Sequence, residues 1–140
     1  MNTPAAPGPP GLGKLGFAEG QIVQELGYDD DVSNDFRFSV EDLIGSELEY
    51  DDYTGVTDAV LLWWREGDGD LVDALVDALT NLSEGASVIL LTPKAGRPGE
   101  VDAAEIQESA TTAGLHTTAT AGIGADWTAT RLLAPKGARR

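Results

Sequence analysis

The chain has 140 residues, which suit one domain with a single core, and its 24 acidic and 9 basic side chains give a formal net charge of −15. This charge argues against nucleic-acid or anionic-membrane partners, because binding to phosphates needs a basic surface, and the absence of cysteine excludes disulfides, thiol nucleophiles and thiolate metal sites. No apolar run reaches the length of a transmembrane helix and no secretory signal is visible, so we expect a soluble, cytoplasmic protein.

The composition of the two ends sets the predicted domain boundaries. Residues 1–13 are rich in Pro, Gly and Ala and offer little to bury, which predicts a disordered N-terminal arm. Residues 136–140 carry Lys and Arg and predict a short basic tail. The folded domain is therefore expected to span residues 14–135.

The first elements of the domain are predicted to be a strand, a helix and a second, shorter strand. Residues 21–27 alternate loosely between apolar and polar side chains, as a strand does. Asp30 or Asp31 is predicted to cap a helix that ends near Gly45. Residues 46–50 predict a short strand at an edge of the sheet.

The middle of the chain predicts a strand, a helix and a strand around which the rest is arranged. Residues 58–64 form a continuous apolar run of strand length, as expected for a strand buried on both faces. Residues 71–82 change to a helical period, with leucines on one face and aspartates on the other. Residues 87–92 predict a second buried strand that ends at Pro93. Two buried strands joined by a helix predict a right-handed parallel crossover and hence the α/β class.

The last third of the domain predicts a loop, a helix and a hairpin. Residues 94–99 are a loop by composition. Residues 102–113 predict a helix with Asp102 as its N-cap. Two Thr-rich segments, 115–121 and 127–133, predict a closing antiparallel hairpin.

This order of elements resembles the class I methyltransferases, in which a first strand ending in glycines is followed by helix and strand pairs and a final antiparallel hairpin. The corresponding points here are Gly27, Pro93 and the hairpin from Leu115. In detail the chain resembles more closely an uncharacterised actinobacterial family, the domain of unknown function DUF3052, in the segments VLLWWR (60–65), LLTPKAGR (90–97) and DWTATRLL (126–133). The resemblances imply a single Rossmann-like three-layer α/β domain with a mostly parallel sheet and a C-terminal antiparallel hairpin, like a truncated class I methyltransferase.

The predicted cofactor loop departs from the methyltransferase pattern. The resemblance implies that S-adenosylmethionine would bind where the first strand turns into its helix, on a glycine-rich loop, with a carboxylate one strand later for the ribose. Here the loop reads GYDDD, in which only Gly27 is kept. Tyr28 and the three carboxylates after it would crowd the space for the cofactor. Glu47 or Glu49 is the acid left for the ribose. We favour a scaffold with no cofactor, and the alternative is a small S-adenosylmethionine-dependent methyltransferase with an atypical loop.

The candidate ligand-binding residues lie where the parallel strands are predicted to end, because open α/β sheets bind ligands beyond the carboxyl ends of their strands. The basic residues among them could hold a small anion such as a carboxylate or phosphate, or they could neutralise neighbouring acids and fix loops. The two adjacent tryptophans point to opposite faces, so one is expected in the core while the other could offer a stacking surface. The full set is Gly27, Tyr28, Trp63, Trp64, Arg65, Lys94 and Arg97.

The acidic residues are concentrated in one part of the chain. Between Glu25 and Asp77 there are 17 carboxylates, against Arg37 and Arg65 alone. Such a run is either a solvated face or a docking surface for a basic protein partner. The single histidine, His116, has no cysteine with which to share a metal site, and no metal site is predicted.

No catalytic residue and no oligomeric state can be assigned from these patterns. Asp and Glu are so plentiful that any chosen acid–base pair is uninformative. The leading hypothesis is therefore a non-catalytic binding or regulatory module on a degenerate methyltransferase-like scaffold. The acidic surface would meet a protein partner, and the basic edge would meet a small anionic ligand.

Overall fold

A five-stranded sheet lies at the centre of residues 12–134, the part of the chain that the computed structural model describes. The strand order is β1-β2-β3-β5-β4. Strands β1, β2 and β3 pair in parallel, and β5 lies antiparallel between β3 and β4, so β5 alone runs against the others. The predicted mostly parallel sheet with a C-terminal antiparallel hairpin is confirmed. The strands are β1 (Val23–Leu26), β2 (Thr57–Trp63), β3 (Leu82–Pro93), β4 (His116–Ile123) and β5 (Trp127–Leu133).

Three helices cover the two faces of this sheet and complete the predicted three layers. They are α1 (Asn34–Ile44), α2 (Leu71–Ala78) and α3 (Ala103–Thr112). Helix α1 buries its apolar residues against one face of the sheet, while α2 and α3 bury theirs against the other. The buried strands contribute apolar side chains to the core on both faces of the sheet, since successive residues of a strand point to opposite sides. None of the helices in the described part of the chain is long and apolar enough to cross a membrane.

The helix ends follow from local hydrogen bonding. Asp70 and Asp102 cap α2 and α3, and their carboxylates accept hydrogen bonds from Val72 N (2.9 Å) and Ala104 N (3.1 Å). The predicted N-cap of α1 was wrong. Ser33, not Asp30 or Asp31, caps this helix.

Three elements were predicted with the wrong length, because contacts distant in sequence decide them. Strand β3 begins at Leu82 rather than residue 87, where Leu82 pairs with Thr57 of β2. Helix α2 ends at Ala78 rather than residue 82, since the next residues already contact the start of β2: Asn81 O accepts a 2.8 Å hydrogen bond from Thr57 N. The short strand predicted over residues 46–50 is reduced to one parallel bridge between Glu49 and Gln24.

Regular structure is already present before residue 14. Leu12–Leu15 forms one turn of 3₁₀ helix, and both leucines are buried in the core on the α1 side of the sheet. The rest of the predicted N-terminal arm and the predicted basic tail lie outside the described residues.

Candidate functional site

The ends of β1 and β2 form the point at which a ligand crevice is expected. The helix that follows β1 packs on one face of the sheet, and the helix that follows β2 packs on the other. In open α/β sheets this change of face leaves a crevice beyond the carboxyl ends of the two strands. Here those ends place Gly27 beside Trp63 and Arg65.

Gly27 is required by the approach of the backbone of β1 to that of β2. Its φ of 79° is in the left-handed region, which residues with a side chain rarely adopt. A Cβ atom at this position would lie 2.3 Å from Trp63 O. The glycine is therefore explained by the packing of two strand ends, without any ligand.

Arg65 bridges these two strand ends. Its Nη1 donates hydrogen bonds to Gly27 O (2.9 Å) and Trp63 O (3.4 Å), and its Nε donates to Asp31 Oδ2 (3.0 Å). Burial opposes the charged form of Arg65, but the hydrogen bond and the charge of Asp31 raise its pKa above the ordinary value. The same hydrogen bond lowers the pKa of Asp31. The charged pair therefore links the loop after β1 to the end of β2.

Trp127 packs beside Arg65 and Asp31. Its Nε1 donates a hydrogen bond to Asp31 O (3.0 Å), and its ring lies 5.4 Å from the Arg65 guanidinium carbon, within cation–π range. The ring also meets Trp63 edge-on at 4.8 Å. We call Gly27, Asp31, Arg65 and Trp127 the Arg65 cluster.

A second charged pair, which the sequence patterns did not indicate, lies on the α1 side of the same strand ends. The carboxylate of Glu25 is buried and accepts hydrogen bonds from Arg37 Nε (2.7 Å), Arg37 Nη2 (2.9 Å) and Trp63 Nε1 (2.8 Å). The hydrogen bond to Glu25 raises the pKa of Arg37. One feature of the sequence could have indicated that Arg37 pairs with an acid: it is the only basic residue between positions 25 and 64.

The two tryptophans and Tyr28 occupy different environments. Trp63 is fully buried on one face of the sheet and Trp64 is buried, at 8% exposed, on the other, so both tryptophans pack in the core. Tyr28 is exposed and stacks against the Arg37 guanidinium, whose central carbon lies 4.7 Å from the ring. Arg65, rather than Tyr28 or a tryptophan, therefore bridges the ends of β1 and β2.

The three basic candidates lie at the same edge of the sheet, and each has a partner within the chain. Arg65 pairs with Asp31, Arg97 pairs with the carboxylate of Asp126, and Lys94 Nζ donates to Gly124 O at 2.9 Å. A cavity of about 260 Å³ brings Arg97, Asp126 and Asp31 together. An anion would have to compete with these partners, and anion binding here stays a prediction.

Two larger cavities flank the end of β1, one on each face. The cavity on the α1 side, about 570 Å³, is lined by Tyr28, Arg37, Tyr50 and Asp51. The cavity on the α2 side, about 590 Å³, runs past Gly27 towards the residues that follow α2. Within residues 12–134 no group of three or more His, Asp or Glu side chains is placed to hold a metal ion.

Comparison with known families identifies the chain by its sequence. Residues 13–136 match the family described as "Protein of unknown function (DUF3052)". The chain belongs to this family. It is 49% identical over 123 residues to the uncharacterized proteins Rv2239c of Mycobacterium tuberculosis and Mb2263c of Mycobacterium bovis, covering 88% of this chain and 77% of each relative. The predicted family is thereby confirmed.

Comparison with solved structures identifies the fold. The pyocyanin biosynthetic protein PhzM superposes with a TM-score of 0.64 at 11% identity, over 89% of this chain, which spans about half (53%) of that protein. A methyltransferase from Pyrococcus furiosus gives 0.56 at 14% identity, covering 87% of this chain and 79% of that one. A SAM-dependent methyltransferase from Aquifex aeolicus gives 0.55 at 13% identity, with 87% and 86% covered. At such identities the likeness establishes the Rossmann-like, class I methyltransferase fold and nothing further.

Proposed function

We propose that this DUF3052 protein is a non-catalytic binding or regulatory module on a methyltransferase scaffold and that it does not use S-adenosylmethionine. The observation that supports this proposal is the position of Arg65. Its guanidinium group donates to backbone carbonyls at the ends of both β1 and β2, at the point where an open α/β sheet would place its ligand.

The residues at the crevice do not fit the cofactor. The Arg65 side chain is only 15% exposed, and Asp31 neutralises it at 2.5 Å. Opening the crevice would remove the hydrogen bonds to Gly27 and Trp63 and would separate a largely buried charge from its partner, which is unfavourable. We therefore assign the Arg65 cluster a structural role.

The acidic surface supports binding of a basic protein partner. Most of the carboxylates between Glu25 and Asp77 are exposed, whereas Arg37 and Arg65 both pair with carboxylates of this chain. The unbalanced negative charge favours and steers association with a positively charged surface. A cytoplasmic location and a small anionic ligand at Lys94 and Arg97 remain parts of the proposal.

Methyl transfer is the second candidate, and the cavity on the α1 side of β1 is the observation that favours it. Two tyrosines, Tyr28 and Tyr50, flank this cavity of about 570 Å³. Asp51 also lines it and lies two residues after the remnant strand at Glu49. The methyltransferase resemblance implies a carboxylate in that region for the ribose of the cofactor.

Isothermal titration with S-adenosylmethionine and S-adenosylhomocysteine separates the two candidates. For the purified full chain we expect no binding heat and no thermal shift with either ligand at about 1 mM, since a ligand at 100 times its dissociation constant would stabilise the fold by about 2.7 kcal/mol. A micromolar dissociation constant would overturn the proposal.

A pair of variants shows where any binding occurs. Asp51→Asn alters the cavity beside Tyr28, whereas Asp42→Asn removes an exposed carboxylate that does not line it. Asp51 also lines the cavity on the α2 side, so Asp77→Asn, which alters that cavity alone, serves as a second control. Ligand binding that Asp51→Asn weakens and both controls leave unchanged would assign the α1-side cavity to the cofactor and revive methyl transfer.

A further inference from the structure

An open groove runs along β1 on the α2 side of the sheet. Leu26 and Leu62 form its apolar floor, Ala74 and Asp77 of α2 form one wall, and Asp51 and Tyr53 form the other. We call this cavity of about 590 Å³ the β1–α2 groove. It lies on the opposite face of β1 from the cavity considered for a cofactor, with which it shares only Gly27 and Asp51.

Among the described residues, the charged side chains that line the groove are all acidic. They are Asp51, Asp68 and Asp77, and no Lys or Arg of residues 12–134 lines it. Asp68 is shared with Arg65 at 3.4 Å. Asp51 and Asp77 have no ion-pair or hydrogen-bond partner for their carboxylates within residues 12–134. Two uncompensated carboxylates on opposite walls of an apolar cavity favour a cationic occupant.

Gln24 adds an acceptor without a partner. Its side chain is 5% exposed and lines the groove. The amide Nε2 donates to the carbonyls of Tyr50 (3.0 Å), Asp51 (3.3 Å) and Tyr53 (3.1 Å), whereas Oε1 accepts no hydrogen bond from any described residue. Buried acceptors are rarely left without a donor. An N–H group of the occupant would satisfy this oxygen.

The outer wall of the groove is held in position by amide groups. Besides the three hydrogen bonds from Gln24, Asn81 Nδ2 donates to Tyr53 O at 2.9 Å. The Tyr53 ring packs over Gly55, where even a Cβ atom would lie 2.3 Å from the phenol oxygen. A wall fixed in this way needs little reordering when it binds, which reduces the entropic cost of association.

Exposed apolar residues adjoin the lining residues on both walls. Tyr50 is 70% exposed and precedes Asp51, and Val76 is 50% exposed and precedes Asp77. A free metal ion or a simple amine would leave these side chains uncovered. A polypeptide segment that alternates basic and apolar residues would cover them.

We propose that the β1–α2 groove binds a basic segment of a partner polypeptide and that an Arg or Lys side chain of this segment inserts between Asp51 and Asp77. The proposal rests on the proposed function only in requiring a protein partner. Its failure is distinguishable from failure of the proposed function, because the peptide titration contains no cofactor and the residue varied in it, Asp77, does not line the cavity considered for a cofactor.

Peptide binding to the full chain tests the proposal. The probe is a fluorescein-labelled hexapeptide, Arg-Leu-Arg-Gly-Leu-Arg, titrated by anisotropy in 150 mM NaCl, with a version in which glutamine replaces arginine as the neutral control. Asp77→Asn removes a groove carboxylate, whereas Asp73→Asn removes an exposed carboxylate of the same helix that does not line the groove. Both variants change the net charge equally.

We expect the arginine peptide to bind, the neutral peptide not to bind, and Asp77→Asn to weaken binding about fivefold, the effect of one ion pair of about 1 kcal/mol. Asp73→Asn should change the affinity less than twofold. Equal weakening by the two variants would show unspecific attraction to the acidic surface and overturn the proposal. Absence of peptide binding, or equal affinity for spermidine, would overturn it as well.

Discussion

Replacement of Gly27 by alanine tests whether the close approach of β1 to β2, rather than a ligand, requires this glycine. The matched control is Gly20→Ala. Both glycines have a left-handed φ, 79° at Gly27 and 90° at Gly20. A Cβ atom at Gly27 would lie 2.3 Å from Trp63 O, whereas a Cβ atom at Gly20 meets nothing within 4 Å. The two variants therefore share the conformational cost and differ in the steric one.

The expected free energies follow from these two costs. A left-handed conformation costs an alanine about 1–2 kcal/mol, and this is the whole effect expected at Gly20. At Gly27 the strand ends must also move apart, and overpacking of this kind adds about 1–3 kcal/mol. We therefore expect Gly27→Ala to lower the free energy of unfolding by about 3 kcal/mol. Against a typical total of about 5–15 kcal/mol, the variant should still fold.

Urea unfolding, followed by tryptophan fluorescence and by far-ultraviolet circular dichroism, measures both variants. The dependence of the free energy on urea should stay constant, so that the shift in midpoint reports stability alone. Equal losses in the two variants, within about 0.5 kcal/mol, would refute the steric argument. Gly27 would then need another explanation, and a ligand requirement would be the first to consider.

Three further predictions concern the charged groups. Glu25→Gln should lower the free energy of unfolding, measured in urea, by about 2–4 kcal/mol, because it leaves Arg37 largely buried without its counter-charge. Adding Arg37→Met to this variant should restore part of the lost stability. Additive losses from the two substitutions would contradict the pairing. Asp31 has a folded-state pKa below 3.8, so the unfolded chain binds more protons and the stabilisation is present above about pH 4 and lost as the pH falls through the folded value. Thermal unfolding between pH 5 and pH 2 should therefore depend less on pH in Asp31→Asn than in the wild type. Asp70→Ala should cost about 1 kcal/mol through loss of the α2 cap, measured by urea unfolding, and no change would show that the cap is dispensable.

The fold was predictable where the apolar pattern was continuous within one segment of the sequence. The apolar runs that became β2 and β3, with the amphipathic helix between them, were sufficient to indicate a parallel α/β sheet. The Thr-rich segments indicated the hairpin of β4 and β5. The insertion of β5 between β3 and β4 was not predicted, because strand order depends on pairing between segments distant in the chain.

The candidate site was less predictable, because long-range pairing decides the use of each charged group. Asp31 was expected to cap a helix, as acidic residues before an apolar run often do, but its carboxylate pairs with Arg65, 34 residues away. Arg65 was expected either to hold an anion or to neutralise neighbouring acids and fix loops, and it pairs with Asp31 and donates to the carbonyls of Gly27 and Trp63. No sequence motif indicated the Glu25–Arg37 pair, since Glu25 lies on β1 and Arg37 lies on α1.

The segment between α1 and β2 is short, and this explains why the β1–α2 groove is open. The methyltransferase resemblance implies a further helix and strand pair in this connection, and the chain has only the bridge at Glu49 and the Tyr50–Tyr53 wall there. Without a helix of its own on the α2 side, β1 leaves Gln24 and Leu26 lining an open groove. At the same strand the Arg65 side chain occupies the crevice end. The binding surface that we propose therefore lies along the face of β1, where the carboxylates of Asp51 and Asp77 favour a cationic polypeptide.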